Sequence, residues 1–336
     1  MAVSLAPISV DIGRAGWIES RHDVHAVVCR PDGSIVTCWG DPDFATIPRS
    51  AIKPFQSVPL IETGTADALA FPPALIALSS ASHDGAPKHI AWLDRLMRQL
   101  GVDDQALECG AHAPYNQDAA DALIRDGKSP CRIHNNCSGQ HLGFIATAMH
   151  EQENYHGYTE PAHPVQRRAM GVIEEMTGTV IDRATLAIDG CNAPTFALPL
   201  RGLATAAARL AVPDDLPADR AATLNRIFSA CVAFPELVAG EGRLDTLMMR
   251  AMEGGGITKI GAEGVVIGAL RDLGIGFALK VADGAKRAGD AAAARLLLAL
   301  GAIPRSNAAL VQSWAEPIIQ SAAGTNVGQI TVDLPG

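Results

Sequence analysis

A serine and a lysine three residues apart, Ser50 and Lys53, form the segment of this chain best suited to chemistry. Residues at this spacing share one face of a helical turn, which would set the hydroxyl beside the amine. A serine becomes a good nucleophile when a neighbouring base takes its proton, and a lysine in an apolar environment can be that base. Ile52, Phe55 and Val58 supply apolar neighbours. The pair predicts a Ser–Lys hydrolase site, unless Ser50 only caps a helix and Lys53 lies on the surface.

Lysine is rare in this chain, which favours the catalytic interpretation of Lys53. The sequence has six lysines and carries most of its positive charge on arginine. Pro54 restricts the backbone of the residue before it away from the helical region. The Ser50–Lys53 turn is therefore predicted to be the irregular start of a helix that continues through Leu60.

Six further segments are too polar, and too rich in Gly, His, Asn and Cys, to be plain helix faces. Loops at the ends of strands and the starts of helices commonly carry chemistry, although a turn or a cap explains each segment taken singly. The segments are Glu19–His22, Ser80–Gly85, His134–His141, Asp189–Cys191, Gly240–Arg243 and Gly254–Lys259. Ser82 and Lys259 lie in two of them, so a second Ser–Lys pair would form if the fold brought these segments together.

Two cysteines and two histidines offer the sulfur and nitrogen ligands that zinc accepts. Cys137 lies between His134 and His141, and Cys191 is a distant fourth group. The paired short cysteine spacings of a structural zinc site are absent. Buried thiols and hydrogen-bonded histidines therefore explain these residues equally well.

Taken in order, these clusters resemble the rhizobial-type L-asparaginases over about residues 19–280. The resemblance lies in the motifs Arg-Ser-Ala-x-Lys, Ala-Ser-His, Asn-Cys-Ser-Gly-x-His, Asp-Gly-Cys, Ala-Gly-Glu-Gly-Arg and Lys-x-Gly-Ala, which are specific together and not singly. It implies a fold like those of serine β-lactamases and glutaminases. It also implies a homodimer that hydrolyses L-asparagine to aspartate and ammonia.

The resemblance also implies a role for individual residues. Ser50 would be the nucleophile and Lys53 its base, with Ser82 and Lys259 as a second pair beside them. The implied substrate-binding residues are Arg49, His83, Asp189 and Arg243.

A zinc site is implied at Cys137 and Cys191, and at this point the chain departs from the family pattern. The resemblance leads us to expect a lysine three residues after the first of these cysteines, as a further zinc ligand. This chain has Gln140 there. A neutral amide is a weaker zinc ligand than a deprotonated amine, so zinc occupancy stays open.

The elements that must position these residues suggest one α/β domain over residues 1–336. Two β-rich runs, His25–Arg30 and Ser34–Trp39, are joined by the turn signal Pro31–Gly33, which predicts a hairpin. Helical periodicity dominates from about 50 to 253, with helices predicted over 86–100, 139–149, 164–176, 203–210 and 218–232. Strands are predicted over 257–260, 264–268 and 274–281, followed by a helix over 291–300. The predicted fold is a three-layer αβα arrangement, in which N-terminal strands (about 20–40) and C-terminal strands (about 256–282) form one antiparallel sheet covered by helices.

Composition narrows the partners and the compartment. The net charge of −9, without a basic stripe, argues against nucleic acid or an anionic membrane as a partner. The N-terminal residues lack the pattern of a secretory signal, and no stretch approaches the roughly 18 apolar residues of a membrane span. Seven scattered cysteines indicate reduced thiols in a cytoplasm.

Two alternatives to an asparaginase remain. The Ser–Lys groups could act on another amide, such as glutamine or a β-lactam, although the missing secretion signal argues against a cell-wall role. The chain could also bind a metal or an amino acid without catalysing a reaction.

Overall fold

The main sheet of the protein is built from the two ends of the chain. The structure is a computed structural model that describes residues 4–336, and nine of its strands form this sheet. Four others form two short pairs, β5 with β8 and β6 with β7. The strands are β1 (Ser4–Leu5), β2 (Ile8–Arg14), β3 (Trp17–Cys29), β4 (Ile35–Trp39), β5 (Ala45–Thr46), β6 (Ala187–Ile188), β7 (Pro194–Thr195), β8 (Leu198–Pro199), β9 (Gly256–Gly261), β10 (Val265–Leu270), β11 (Ile275–Val281), β12 (Ile318–Gln320) and β13 (Asn326–Asp333).

Helices fill the long segment between the two groups of sheet strands and the region after β11. They are α1 (Lys53–Gln56), α2 (Val58–Glu62), α3 (Thr65–Ala68), α4 (Pro73–Ser79), α5 (Pro87–Leu100), α6 (Gln117–Arg125), α7 (Ser138–His150), α8 (Pro164–Thr177), α9 (Leu200–Ala211), α10 (Ala218–Ala233), α11 (Pro235–Val238), α12 (Leu244–Ala251), α13 (Lys286–Ala299) and α14 (Ala308–Ala315). None of the helices formed by residues 4–336 is both long and apolar enough to cross a membrane.

Strand β3 joins the N-terminal and C-terminal parts of the sheet. It pairs with β11 on one side, and on the other with β2 along its first half and β4 along its second. Beyond β11 come β10 and β9, so that Val27, Ala278, Ile267 and Lys259 lie side by side across four strands. The predicted hairpin and the predicted antiparallel sheet from both ends of the chain are confirmed.

The sheet is wider than the sequence reading predicted, because β2 and the pair β12–β13 extend it on the side away from β9. Strand β2 does carry an alternating pattern, since Ile8, Val10 and Ile12 are buried and the residues between them are not. Strand β13 is fully buried only at Ile330, and it shows such alternation only over residues 329–333.

Two helices cover opposite faces of the sheet, which confirms the three-layer arrangement. Gly276 of β11 lies against the backbone of α9, whereas Val281 lies against Gly289 of α13. Residues an odd number of positions apart in a strand point to opposite faces. Helix α9 therefore packs on one face of β11 and α13 on the other.

The predicted helices agree with α5, α7, α8, α9, α10 and α13, apart from their ends. The irregular helix start is also present, as a 3-10 turn over Arg49–Ile52 followed by α1 and α2. The expected effect of Pro54 on Lys53 is wrong, because Lys53 has helical angles, φ −57° and ψ −35°. Pro54 falls in the first turn of α1, where a proline removes no intrahelical hydrogen bond.

Replacing Gly276 with Ala should lower the free energy of unfolding by about 1–3 kcal/mol, because the added Cβ would overlap the backbone of α9 at Ala207 and Ala208. Chemical denaturation of the variant and the wild type measures the difference. Gly171 in α8 is the matched control, since a Cβ there would meet nothing within 4 Å. Gly171→Ala should stabilise the helix by about 0.5–1 kcal/mol, and a Gly276→Ala variant of unchanged stability would contradict the close packing of α9.

Candidate active site

The turn that carries Ser50 packs directly against the strand that carries Lys259. A Cβ added to Gly261, at the end of β9, would overlap the carbonyl oxygen of Pro48. Glycine is therefore the residue that lets the strand come this close. The contact places the Arg49–Ile52 turn beside a strand whose own position is fixed by pairing with the rest of the sheet.

Two lysine amines meet at the hydroxyl of Ser82. Lys53 Nζ lies 3.1 Å from Ser82 Oγ, and Lys259 Nζ lies 3.0 Å from the same atom. Each amine also donates to a backbone carbonyl, Lys53 to Ala81 at 2.7 Å and Lys259 to Ile260 at 2.8 Å. Both lysines are 1 % exposed and Ser82 is 6 % exposed. The fold thus brings together three of the four residues predicted to be catalytic.

Ser50, the predicted nucleophile, lies near this cluster but outside its hydrogen bonds. Within residues 4–336 its hydroxyl makes no hydrogen bond, and the Lys53 amine is directed to Ala81, Ser82 and Cys137. Ser50 is half-buried, whereas Lys53 extends into the interior. Ser50 and Lys53 are therefore neighbours along the turn, but the Lys53 amine does not contact the Ser50 hydroxyl.

The surroundings of Lys259 prepare it for proton transfer near neutral pH. Burial is the largest effect, and with the positive charges of Lys53 and Arg243 it lowers the pKa of Lys259 to about 7. The carboxylate of Asp245, 3.9 Å from the Lys259 amine, opposes this lowering. An amine that titrates near the working pH can accept and return a proton.

Cys137 gives Lys53 a sulfur partner. The Lys53 amine lies 3.0 Å from Cys137 Sγ. Hydrogen bonding from Cys191, the largest effect, and the charge of Lys53 lower the pKa of Cys137 to about 6, against the effect of burial. Lys53 therefore stabilises the thiolate form of Cys137 in a contact that the solvent hardly reaches, because Cys137 is 3 % exposed.

Arg49 and Asp189, which the sequence predicts to bind substrate, form an ion pair next to Ser50. The side chain of Arg49 is 27 % exposed and that of Asp189 is 11 % exposed, so a ligand can reach both. Arg49 also has a φ of 51°, a left-handed angle that is uncommon for a residue other than glycine. Such strained residues cluster at functional sites.

The other two predicted substrate-binding residues lie in different environments. Arg243, just before α12, is half-buried and stacks over the ring of Tyr115 at 5.7 Å. His83 is fully buried: its Nδ1 accepts a hydrogen bond from the Gly85 amide, so its Nε2 donates to Ser138 Oγ at 2.9 Å. Both ring nitrogens of His83 are thus used within the protein, which holds the Ser82 loop against α7.

The donors around Cys137 and Cys191 do not form a zinc site. The Cys137 sulfur already faces the Lys53 ammonium, and the Gln140 amide nitrogen donates to Gln56 Oε1. No group of three or more His, Cys, Asp or Glu side chains suited to a metal occurs in residues 4–336. Two thiols and a carboxamide are a poor set, since zinc prefers four ligands drawn from thiolate, imidazole and carboxylate.

A small polar cavity lies where the third zinc ligand was expected. It has a volume of about 10 Å³ and is lined in part by Gln140, Asp189, Cys191 and Thr195. In the part of the chain that the structure describes, Gln140 Oε1 and Thr195 Oγ1 have no hydrogen-bond partner. A polar cavity of this size suits a single water molecule.

Sequence reasoning missed Asp245 and Gln56, which both contact predicted site residues. Asp245 was detectable in principle, because it is the acidic residue in the mostly apolar helix α12. Gln56 gave no signal, since its role depends on meeting Gln140 from a distant segment.

Comparison with known proteins agrees with the resemblance read from the motifs. The profile of the L-asparaginase II family matches residues 10–332, and no curated protein matches the chain. Among solved structures, Mglu in its tris and glutamate form is 15 % identical, with a TM-score of 0.48 over 83 % of this chain and 59 % of Mglu. A β-lactamase from Mycobacterium bovis is 15 % identical, with a TM-score of 0.42 over 82 % of this chain and 94 % of the β-lactamase. The chain spans about three fifths of the length of Mglu. The family match covers nearly the whole chain, which therefore belongs to the L-asparaginase II family.

Proposed function

We propose that this protein hydrolyses L-asparagine to L-aspartate and ammonia through a covalent ester on an active-site serine. Its family supports an amidohydrolase. The observation that carries the Ser–Lys chemistry is the meeting of the Lys53 and Lys259 amines at Ser82, beside the turn of Ser50. Two amines and one hydroxyl in a buried cluster, with the half-buried Ser50 beside it, provide both a nucleophile and a means of moving its proton.

The Arg49–Asp189 pair suits the charged end of an amino acid. A guanidinium binds a carboxylate through two parallel hydrogen bonds, so Arg49 fits the α-carboxylate of asparagine. The α-ammonium group fits the carboxylate of Asp189. Because Arg49 immediately precedes Ser50, a substrate held in this way directs its side-chain amide toward the serine.

In the proposed reaction, neutral Lys53 takes the proton of Ser50 as the serine oxygen attacks the side-chain amide carbon. The tetrahedral intermediate then expels ammonia, whose nitrogen receives its proton from Lys53 or, through the Ser82 hydroxyl, from Lys259. Water hydrolyses the resulting β-aspartyl ester and frees Ser50. The Lys53 amine must turn toward Ser50 for the first step, and catalytic hydrogen bonds are often formed only when substrate is bound.

The same geometry favours a second assignment of the nucleophile. Ser82 is the hydroxyl that contacts both amines, so it has a base in place without any movement. Against this assignment, Ser82 is 6 % exposed and lies deeper than the half-buried Ser50. The substrate and the net reaction are the same in both cases.

Replacing Ser50 with Ala should reduce ammonia release from L-asparagine by about 10³-fold or more, because the ester can no longer form. Acid quenching during turnover, followed by mass spectrometry of the serine-containing peptides, identifies which serine carries the aspartyl group. Ser229→Ala, an exposed serine on α10, is the control and should retain full activity. An aspartyl group on Ser82, with activity retained in Ser50→Ala, would make Ser82 the nucleophile.

Asparagine should be preferred to glutamine by about 10–200-fold in kcat/KM, since rejecting one extra methylene is worth about that much. Ammonia release from the two amides measures this preference. Hydrolysis of the chromogenic β-lactam nitrocefin tests for β-lactamase activity. Equal use of glutamine, or turnover of nitrocefin, would support the alternative hydrolases. Thermal stabilisation by asparagine without ammonia release would instead indicate a binding protein.

The purified protein should contain well below one zinc per chain, because Gln140 replaces an amine ligand and Lys53 faces the Cys137 sulfur. Elemental analysis after dialysis against zinc and then against buffer measures the content. The Gln140→Lys variant restores the family's ligand and should bind more zinc than the wild type. The variant Gln140→Lys with Cys191→Ser is its control and should lose that gain. One tightly held zinc per wild-type chain would contradict the prediction.

A further inference from the structure

Asp245 is a fully buried carboxylate that the proposed reaction does not use. It lies in the first turn of α12 and is 0 % exposed. A buried carboxylate is destabilising unless its charge is compensated by hydrogen bonds or an opposite charge. Within residues 4–336 its Oδ1 has no hydrogen-bond partner. The burial of Asp245 therefore has to be explained by the contacts of its other carboxylate oxygen.

Those contacts converge on Lys259. Asp245 Oδ2 accepts a hydrogen bond of 3.0 Å from the backbone amide of Ile260 and lies 3.9 Å from Lys259 Nζ. Asp245 itself is held firmly, because the next residue, Thr246, donates to the carbonyls of Pro235 and Gly240. The carboxylate therefore fixes the strand at Lys259 and faces the lysine amine at the same time.

Five charged or titratable groups surround the Lys259 amine, and one of them, the Cys231 thiol, stays neutral because burial raises its pKa to about 12. Lys53 and Arg243 are positive and disfavour a second positive charge beside them, whereas Cys137 and Asp245 favour one. Cys137 is in contact with Lys53, so its charge is largely matched there. Asp245 is the anionic group that is left to compensate Lys259.

We propose that Asp245 is a positioning residue for amide hydrolysis, which holds Lys259 against Ser82 and provides the negative charge that allows this amine to take up a proton. Protonated Lys259 gives its proton to the leaving ammonia, either directly or by way of the Ser82 hydroxyl. It regains a proton through the same hydroxyl from Lys53, which has taken the proton of Ser50. The catalytic part of this inference rests on the proposed function. The pairing of Asp245 with Lys259 does not, and it can be measured in the absence of substrate.

The sign of the expected effect follows from the charges. Removing the negative charge of Asp245 leaves burial and two positive neighbours to act on Lys259, so its pKa falls below its value of about 7. An opposite charge at 4–6 Å changes a pKa by about 1–3 units. Protonated Lys259 supplies the proton for ammonia, so its pKa sets the alkaline limb of the kcat/KM profile. In Asp245→Asn this limb moves to lower pH, and activity at pH 7 falls.

Two measurements on Asp245→Asn and the wild type test the proposal. The first is the pH dependence of kcat/KM for ammonia release. The second is the titration of lysine Nζ by ¹⁵N NMR in protein with labelled lysine, where the chain offers six lysines and Lys259→Arg identifies the signal. We expect both the kinetic limb and the Lys259 signal to move to lower pH by about one unit or more.

Asp104→Asn is the matched control. Asp104 also accepts backbone hydrogen bonds with its carboxylate, from Arg132 and Ile133, and none of its hydrogen bonds comes from a lysine. Asp104→Asn should therefore lose some stability while the Lys259 titration stays in place. Asp245→Asn with reduced stability but an unchanged Lys259 pKa would show a structural role alone and overturn the proposal.

If Asp245→Asn does not fold, Asp245→Ser removes the same charge and keeps an acceptor for the Ile260 amide. The two proposals fail in different ways. A wild-type protein that releases no ammonia from any amide refutes the proposed function, and the NMR titration still decides the role of Asp245. An active enzyme whose Lys259 titration is insensitive to Asp245 refutes only the present inference.

Discussion

Two lysine amines buried against one serine hydroxyl are the constraint on which this structure depends. Each amine is almost fully removed from water, and two positive charges in contact with one oxygen repel each other. The positive charge of Lys53 therefore opposes protonation of Lys259. The pKa of about 7 for Lys259 is one result of this arrangement. A serine hydroxyl between one charged and one neutral amine has an acid and a base within reach, as amide hydrolysis requires.

The main sheet explains how the protein brings these groups together from distant segments. Lys259 lies on β9, which is tied through β10 and β11 to β3 near the N-terminus. The Ser50 turn is placed by the approach of Gly261 to Pro48, and Ser82 follows α4. The order of pairing fixes β9, and α12 packs against this strand. A shift of β9 by one residue would turn Lys259 to the other face of the sheet and separate it from Ser82.

Much of this arrangement was predictable from local patterns, and the rest depends on contacts between distant residues. The helix α5 follows from the spacing of Leu93, Met97 and Leu100, and the β3–β4 hairpin from its turn residues. The direction of the Lys53 side chain could not be predicted in this way. The spacing predicts a contact with Ser50, whereas in the fold the amine contacts Ala81, Ser82 and Cys137. Asp245 could be noticed as an acid in an apolar segment, but its pairing with Lys259 depends on how α12 packs beside β9. Strand β13 was missed because its alternation is short, covering only residues 329–333.

The charges of the site are balanced in pairs, and this balance bears on the role of Gln140. The Cys137 thiolate faces Lys53, and the Asp245 carboxylate faces Lys259, so the cluster holds two potential anions for two potential cations. A divalent metal at the cysteines would add positive charge next to Lys53 and favour its neutral form. With the neutral pair Gln56 and Gln140 in that place, the Lys53 ammonium itself compensates the thiolate. In the proposed mechanism Lys53 acts as a base in its neutral form, and its proton can pass to either side chain that it contacts, the Cys137 sulfur or the Ser82 hydroxyl with Lys259 behind it. Under the two proposals above, the contacts from Lys53 through Ser82 to Lys259, and the Asp245 carboxylate beside Lys259, take the place that a metal ion would have in setting the charge of Lys53.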